Sequence, residues 1–184
     1  DLEEQVYRNF QRLTPWLDDA RAMAEVVLVM RHDAWNCAEN PDPSAQQAQQ
    51  SIQGATRMLE EQKVPFQIFS DRQELPRCRV LILADEIRLS PRLAEQVKRH
   101  LAAGGKVISS YHGGLAETGD DFALPDEWGM RSNGEWSYDP AFLTAPELPP
   151  MPFAIGSEGL PVEVRPGAGA EMRAELVKPF FNRG

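Results

Sequence analysis

Cysteine is nearly missing from this chain: Cys37 and Cys78 are the only two in 184 residues. Two thiols without CxxC spacing exclude a disulfide framework, a zinc ribbon and a thioredoxin-like redox motif, and they read as reduced thiols of a cytoplasmic protein. Histidine is limited to His32, His100 and His112, none at the spacing of a zinc site, so no metal is expected. Long apolar runs are absent too, since stretches such as Val26 to Met30 fall far short of the roughly 20 residues that span a bilayer, which excludes a transmembrane helix. The chain opens Asp1-Leu2-Glu3-Glu4 with no basic leader and apolar stretch behind it, so no signal peptide is expected. Positive charge is in deficit, with 19 basic against 28 acidic side chains and a net charge of -9, a balance that repels nucleic acid and anionic membranes. Neither GxGxxG nor GxxxxGK[ST] occurs, which removes the usual nucleotide cradles, and no cofactor is expected.

What is present alternates between two periodicities. Leu2, Val6, Phe10, Leu13 and Leu17 recur every three or four residues and predict a leading amphipathic helix, which Pro15 should bend or end early. Ala24 to Met30 is a short β-branched run of the kind a strand covered on both faces requires. Beyond a loop at Asn40 to Pro43, Ser44 can cap a helix that turns Ala45, Ala48, Ile52, Ala55 and Leu59 inward, although Gly54 weakens it. Pro65 to Phe69 and Arg79 to Ala84 read as strands. Ser90-Pro91 opens a helix carrying Leu93, Val97 and Leu101 and closed by Gly104-Gly105, and Lys106 to Tyr111 returns as a strand. This alternation predicts a three-layer, flavodoxin-like open parallel sheet with helices on both faces.

After Gly113 the helical period disappears, and seven prolines lie between Pro140 and Pro166. Trp128, Trp136, Tyr138, Phe142 and Phe153 supply aromatic area that can pack down on the sheet domain or on a neighbouring chain. Pro161 to Arg165 and Ala174 to Val177 read as late strands flanking a hairpin turn at Gly167-Ala168-Gly169. The expected organisation is a single α/β domain over 1–184, with a leading helix at 1–22, a doubly wound core at 23–114 and a proline- and aromatic-rich extension at 115–184.

Open parallel sheets bind ligands outside the carboxyl ends of their strands. His32 and Asp33 follow the first strand, and an acid/base pair there is opposed by the alternation of neighbouring side chains. Asp85 and Glu86 follow the third and have the residue types of a glycosidase acid pair, but such a dipeptide more often caps a turn or the next helix. The strand that begins at Lys106 runs into Ser110, Tyr111, His112, Gly113 and Gly114, where hydrolases and amidotransferases of this architecture present a nucleophile on a sharp turn. Neither GxSxG nor GxCxG is present, and tyrosine is rarely an acyl-transfer nucleophile. Candidate binding residues are therefore His32, Asp85, Glu86, Tyr111 and His112, with no catalytic set. His100 reads as a solvated position on its helix.

The strand at Val26 to Met30, Pro65-Phe66, Val80-Leu81-Ile82-Leu83-Ala84-Asp85, Leu89-Ser90 and Ala103-Gly104-Gly105-Lys106-Val107-Ile108 together resemble the trimerisation domain of family 42 β-galactosidases. Lys178-Pro179-Phe180-Phe181-Asn182-Arg183 is similar to a motif of related glycosyl hydrolases carrying that domain. The resemblance implies a class I glutamine amidotransferase-like fold, a catalytic TIM barrel elsewhere in a parent chain as partner, and a homo-oligomer, with a trimer favoured. An active amidotransferase has cysteine where this chain has Tyr111, and neither Cys37 nor Cys78 replaces it. The implied function is thus a non-catalytic accessory or oligomerisation domain of a glycoside hydrolase. The alternative is a stand-alone hydrolase or carbohydrate-binding module using Ser110 or His112 with Asp85 or Glu86.

Overall fold

A computed structural model describes residues 2–20, 23–36, 42–138, 141–147, 153–154 and 162–178, with side chains at 35–36 and 153–154 excepted. Cys37, the loop from Asn40 to Pro41, Asp139-Pro140, much of the proline-rich stretch and Pro179 to Arg183 lie outside the described residues. Four strands form one parallel sheet: β1 (Val26–Met30), β2 (Phe66–Ser70), β3 (Val80–Leu83) and β4 (Lys106–Ser109), in the order β2-β1-β3-β4. The register is straight, with Leu28 opposite both Ile68 and Ile82, and Ile82 opposite Ile108.

Strand alternation sorts the core onto the two faces. Val27, Val29, Leu81 and Leu83 point to one side, where Leu93, Ala94 and Val97 of α3 (Pro91–Ala102) close over them. Leu28 and Ala84 point to the other, against Ile52 of α2 (Pro43–Glu61). Leu28, Leu81 and Leu83 are fully buried, each worth roughly 1.5 to 3 kcal/mol by area. The α/β fold expected from the sequence is the observed one.

Local signals decide the helix ends. Ser90 caps α3, its hydroxyl accepting from the Leu93 N–H at 3.3 Å, as expected. For α2 the cap is Asp42, which accepts from the N–H and the hydroxyl of Ser44, so the expected Ser44 cap is displaced by two residues. Proline at position 43 suits the first helical turn, where its missing donor costs nothing. The leading helix, α1 (Leu2–Leu17), runs through Pro15 instead of ending early. The proline lies so near the carboxyl end that little helix is left for it to break, and the Asp18 N–H still reaches the Thr14 carbonyl at 2.8 Å. No residue of α1 is buried: Leu2, Val6, Phe10, Leu13 and Leu17 are all exposed.

The described residues of the extension carry further secondary structure. A single helical turn, α4 (Pro125–Trp128), is followed by β5 (Met130–Glu135), β6 (Phe142–Thr144), β7 (Phe153–Ala154), β8 (Val162–Pro166) and β9 (Glu175–Val177). The late strands do not form the expected hairpin. β8 pairs antiparallel with β5, whereas β9 pairs antiparallel with β6. The glycine turn instead abuts the end of α4, with the Gly167 N–H donating to the Gly129 carbonyl at 2.6 Å. Leu124 enters the α3-side core and Trp128 packs against it, and Trp136 is buried. No helix among the described residues is long and apolar enough to cross a membrane.

Candidate functional site

The polar residues of interest gather at the carboxyl edge of the sheet, and two strand exits create them. β3 ends into Asp85 at φ 40° and β4 into Tyr111 at φ 49°, both left-handed and neither glycine. Such residues cost about 1 to 3 kcal/mol each and persist only where the surroundings fix them. The Ser110 hydroxyl does so for Asp85, accepting from its backbone N–H at 3.1 Å and donating to Oδ1 at 2.7 Å. Ser51, on α2, donates to Asp85 Oδ2 at 2.6 Å. Asp85 therefore joins two strand ends to a helix and does not cap α3.

Glu86 goes the opposite way. It is buried and lies 3.4 Å from Nδ1 of His112, whose Nε2 lies 3.2 Å from Glu135 Oε1 on β5. Each ring nitrogen of His112 thus faces a carboxylate, which as an acceptor can take a hydrogen bond from whichever nitrogen carries hydrogen. The Tyr111 ring stacks on His112 at 3.6 Å between centroids, and its hydroxyl donates to Glu135 at 3.4 Å. Burial, the carboxylates of Glu135 and Glu86 and that hydrogen bond push the Tyr111 phenol above its ordinary value, which keeps it protonated and non-nucleophilic. No helix follows the turn. Residues 111–114 curl back, and the Gly114 N–H donates to the Ile87 carbonyl at 3.0 Å.

His32 and Asp33 form no pair. The chain leaves β1 into a 3-10 turn (His32–Asn36), and Asp33 takes two hydrogen bonds from Arg31, at 2.9 Å and 2.5 Å. That pairing lowers the Asp33 carboxyl below its ordinary range and raises Arg31. His32 contributes its backbone N–H to Asp71 at 2.9 Å, while its side chain is exposed.

A larger cavity of about 640 Å³ opens at the opposite edge, beside Cys78 and His100. His100 is not the solvated residue expected. Its ring folds over Gly105, with Nε2 3.0 Å from the Lys106 carbonyl and Nδ1 3.9 Å from the Cys78 sulfur. Burial raises the Cys78 thiol above its ordinary value, which disfavours the thiolate.

Of the residues singled out from sequence, Glu86, Tyr111 and His112 meet in one network and Asp85 in an adjoining one, and His32 stands apart. Sequence reasoning missed Glu135 and Ser51. Ser51 adjoins Ile52 on the inner half of a helix, a weak signal for a polar partner in the sheet, whereas nothing in the sequence ties Glu135 to His112. Among the described residues no cluster of histidine, cysteine and carboxylate groups is suited to a metal ion.

No protein-family model and no curated protein matches the sequence. Solved structures do. The chain is similar to alpha-L-fucosidase isoenzyme 2 from Paenibacillus thiaminolyticus, at 24% identity over 97% of this chain and 26% of that one, with a TM-score of 0.69. It is similar to the beta-galactosidase from Bacillus circulans sp. alkalophilus, at 17% identity, 96% and 28% coverage and a TM-score of 0.64. A GH42 beta-galactosidase from G. stearothermophilus gives 16% identity, 97% and 27% coverage and 0.65. The chain spans about a quarter of the length of these structures. With nearly all of this chain matched and only about a quarter of each of theirs, this chain has the fold of one domain of much longer glycoside hydrolase chains.

Proposed function

We propose that the chain is a non-catalytic accessory domain of a larger glycoside hydrolase, acting in subunit assembly or in closure over the active site of a TIM barrel in the parent chain. The observation that carries this reading is α1, sixteen residues with an apolar stripe and nothing buried. Isolated helices of this length are marginal in water, so the stripe calls for a surface to cover it. A trimer is the assembly that the sequence resemblance favours.

The strand turn supports the non-catalytic half of the reading. Ser110 donates to a carboxylate, the ring nitrogens of His112 face Glu86 and Glu135, and the phenol at the nucleophile position is held neutral. A nucleophile needs a base within about 3.2 Å, and Ser110 has no imidazole among its partners. That geometry weighs against the alternative of a stand-alone hydrolase using Ser110 or His112 with Asp85 or Glu86. Assays of the purified chain against aryl β-galactosides, aryl α-L-fucosides, aryl esters and glutamine should show background rates only. Turnover that disappears in Ser110→Ala or His112→Ala would contradict the proposal.

A further inference from the structure

Between α2 and the ends of β3 and β4 lies a cleft of about 420 Å³, lined by Gln47, Gln50, Ser51 and Gly54 from the helix and by Asp85 and Ser110 from the strand exits. Gly54 is the unexplained residue. Glycine inside a helix is unfavourable relative to alanine, and it usually earns its place through a close neighbour or a left-handed backbone. Gly54 has neither: an added Cβ would meet no atom within 4 Å, and its φ is not positive. What the missing side chain leaves is room in the wall of this cleft.

A second observation converges on the same space. Both strand exits that border the cleft, at Asp85 and Tyr111, hold non-glycine residues in the left-handed region. The strain at Asp85 is held by Ser110 and Ser51, which present its carboxylate at the cleft wall. Each Asp85 oxygen accepts one serine hydroxyl, and a carboxylate has about four acceptor sites, so acceptor capacity is left over. Gln47 and Gln50, one helical turn apart and exposed, add amide groups that both donate and accept. Among the described residues no lysine, arginine or histidine lines the cleft.

Mixed donors and acceptors around the Asp85 carboxylate match adjacent hydroxyl groups, which also donate and accept, and Asp85 together with Glu86, which also lines the cleft, repels an anion. We propose that this cleft binds a neutral polyhydroxylated ligand, a monosaccharide unit held through vicinal hydroxyls by Asp85 and the amides of Gln47 and Gln50. This goes beyond the accessory role and does not depend on it, since the cleft is built within the chain.

Amide NMR titration of the purified chain tests it, with methyl β-galactopyranoside, methyl α-glucopyranoside and sorbitol as neutral probes and glucuronate and methylamine as charged ones. At least one neutral probe should give saturable shifts at Gln47, Gln50, Ser51, Gly54 and Asp85, with a dissociation constant on the order of millimolar. Gly54→Leu should fill the cleft and weaken binding about tenfold or more, while the melting midpoint holds or rises by roughly 2 to 4 °C, because leucine is a good helix former in open space. A residue needed only for packing could not lose binding while gaining stability. Asp85→Asn is the second variant, since asparagine tolerates the left-handed backbone and serine hydroxyls can turn to suit it, and the affinity should again fall about tenfold. The proposal is overturned by the absence of saturable shifts with every neutral probe, by unchanged affinity in folded Gly54→Leu, or by tighter binding of methylamine or glucuronate than of the neutral probes.

Discussion

Alanine at position 113 should destabilise the protein by about 3 kcal/mol or more, the largest effect expected of any glycine substitution here. A Cβ on Gly113 would sit 2.3 Å from the Leu83 carbonyl oxygen and 2.8 Å from that of Ser110. Both obstacles are backbone, so neither can swing aside. Leu83 O also accepts the Ser110 N–H at 3.3 Å, and Ser110 O accepts the Gly113 N–H at 2.8 Å. Making room for one methyl group therefore breaks the bonds that fold the β4 exit against the end of β3. Thermal unfolding of Gly113→Ala should show a midpoint lower by roughly 6 to 12 °C, at about 2 to 4 °C per kcal/mol for a chain of this size. Gly119→Ala gives the comparison: an added Cβ there meets nothing within 4 Å, so only its left-handed φ is penalised, at about 1 to 2 kcal/mol. Equal losses at the two positions would contradict the steric account.

The second large effect is expected at His112. Its side chain is 13% exposed and that of Glu86 only 9%, so their contact is shielded from solvent. Removing one partner of a buried pair strands the other, at a cost of about 3 to 5 kcal/mol in fully buried cases. Glu86 also lies within the field of Arg31, which softens the loss, and His112→Ala should cost about 2 to 4 kcal/mol. Glu86→Gln in the His112→Ala background should recover part of that stability, because a neutral amide tolerates burial better than an unpaired carboxylate. A double-mutant cycle by urea unfolding measures this coupling. If His112→Ala and His112→Ala with Glu86→Gln unfold at the same denaturant concentration, the His112–Glu86 contact is not what holds the turn.

The parallel core was legible because its information is local. Val26 to Met30 and Val80 to Leu83 are short apolar runs, and Ser90-Pro91 combines a side-chain acceptor with a residue lacking a donor, so each declares its own conformation. Asp42 was missed because two polar residues, one on each side of Pro43, compete for one cap, and the winner is decided by which oxygen reaches the first turn. The pairing of β8 with β5, and not with β9, depends on contacts more than 25 residues apart that alternation along one strand cannot reveal. The site divides in the same way. Asp85, Glu86, Tyr111 and His112 could be named because strand ends collect function. Glu135 could not, because its place beside His112 is set by the path of β5. Asp85 and Glu86 look like a single feature in sequence and separate in space, one toward α2 and the other toward His112.

The central claim is that α1 is the contact surface of this domain, and for the subunit-assembly role sedimentation over a concentration range measures that most directly, on the unmodified chain and on Phe10→Glu with Leu13→Glu. Both residues are exposed on the apolar stripe, so the pair should leave the fold intact. The account predicts reversible self-association of the unmodified chain, abolished in the variant, with slow hydrogen exchange across α1 only where association persists. A strict monomer at every concentration, whose α1 amides exchange as fast as an unfolded segment, would contradict the assembly role and leave only closure over the barrel of the parent chain.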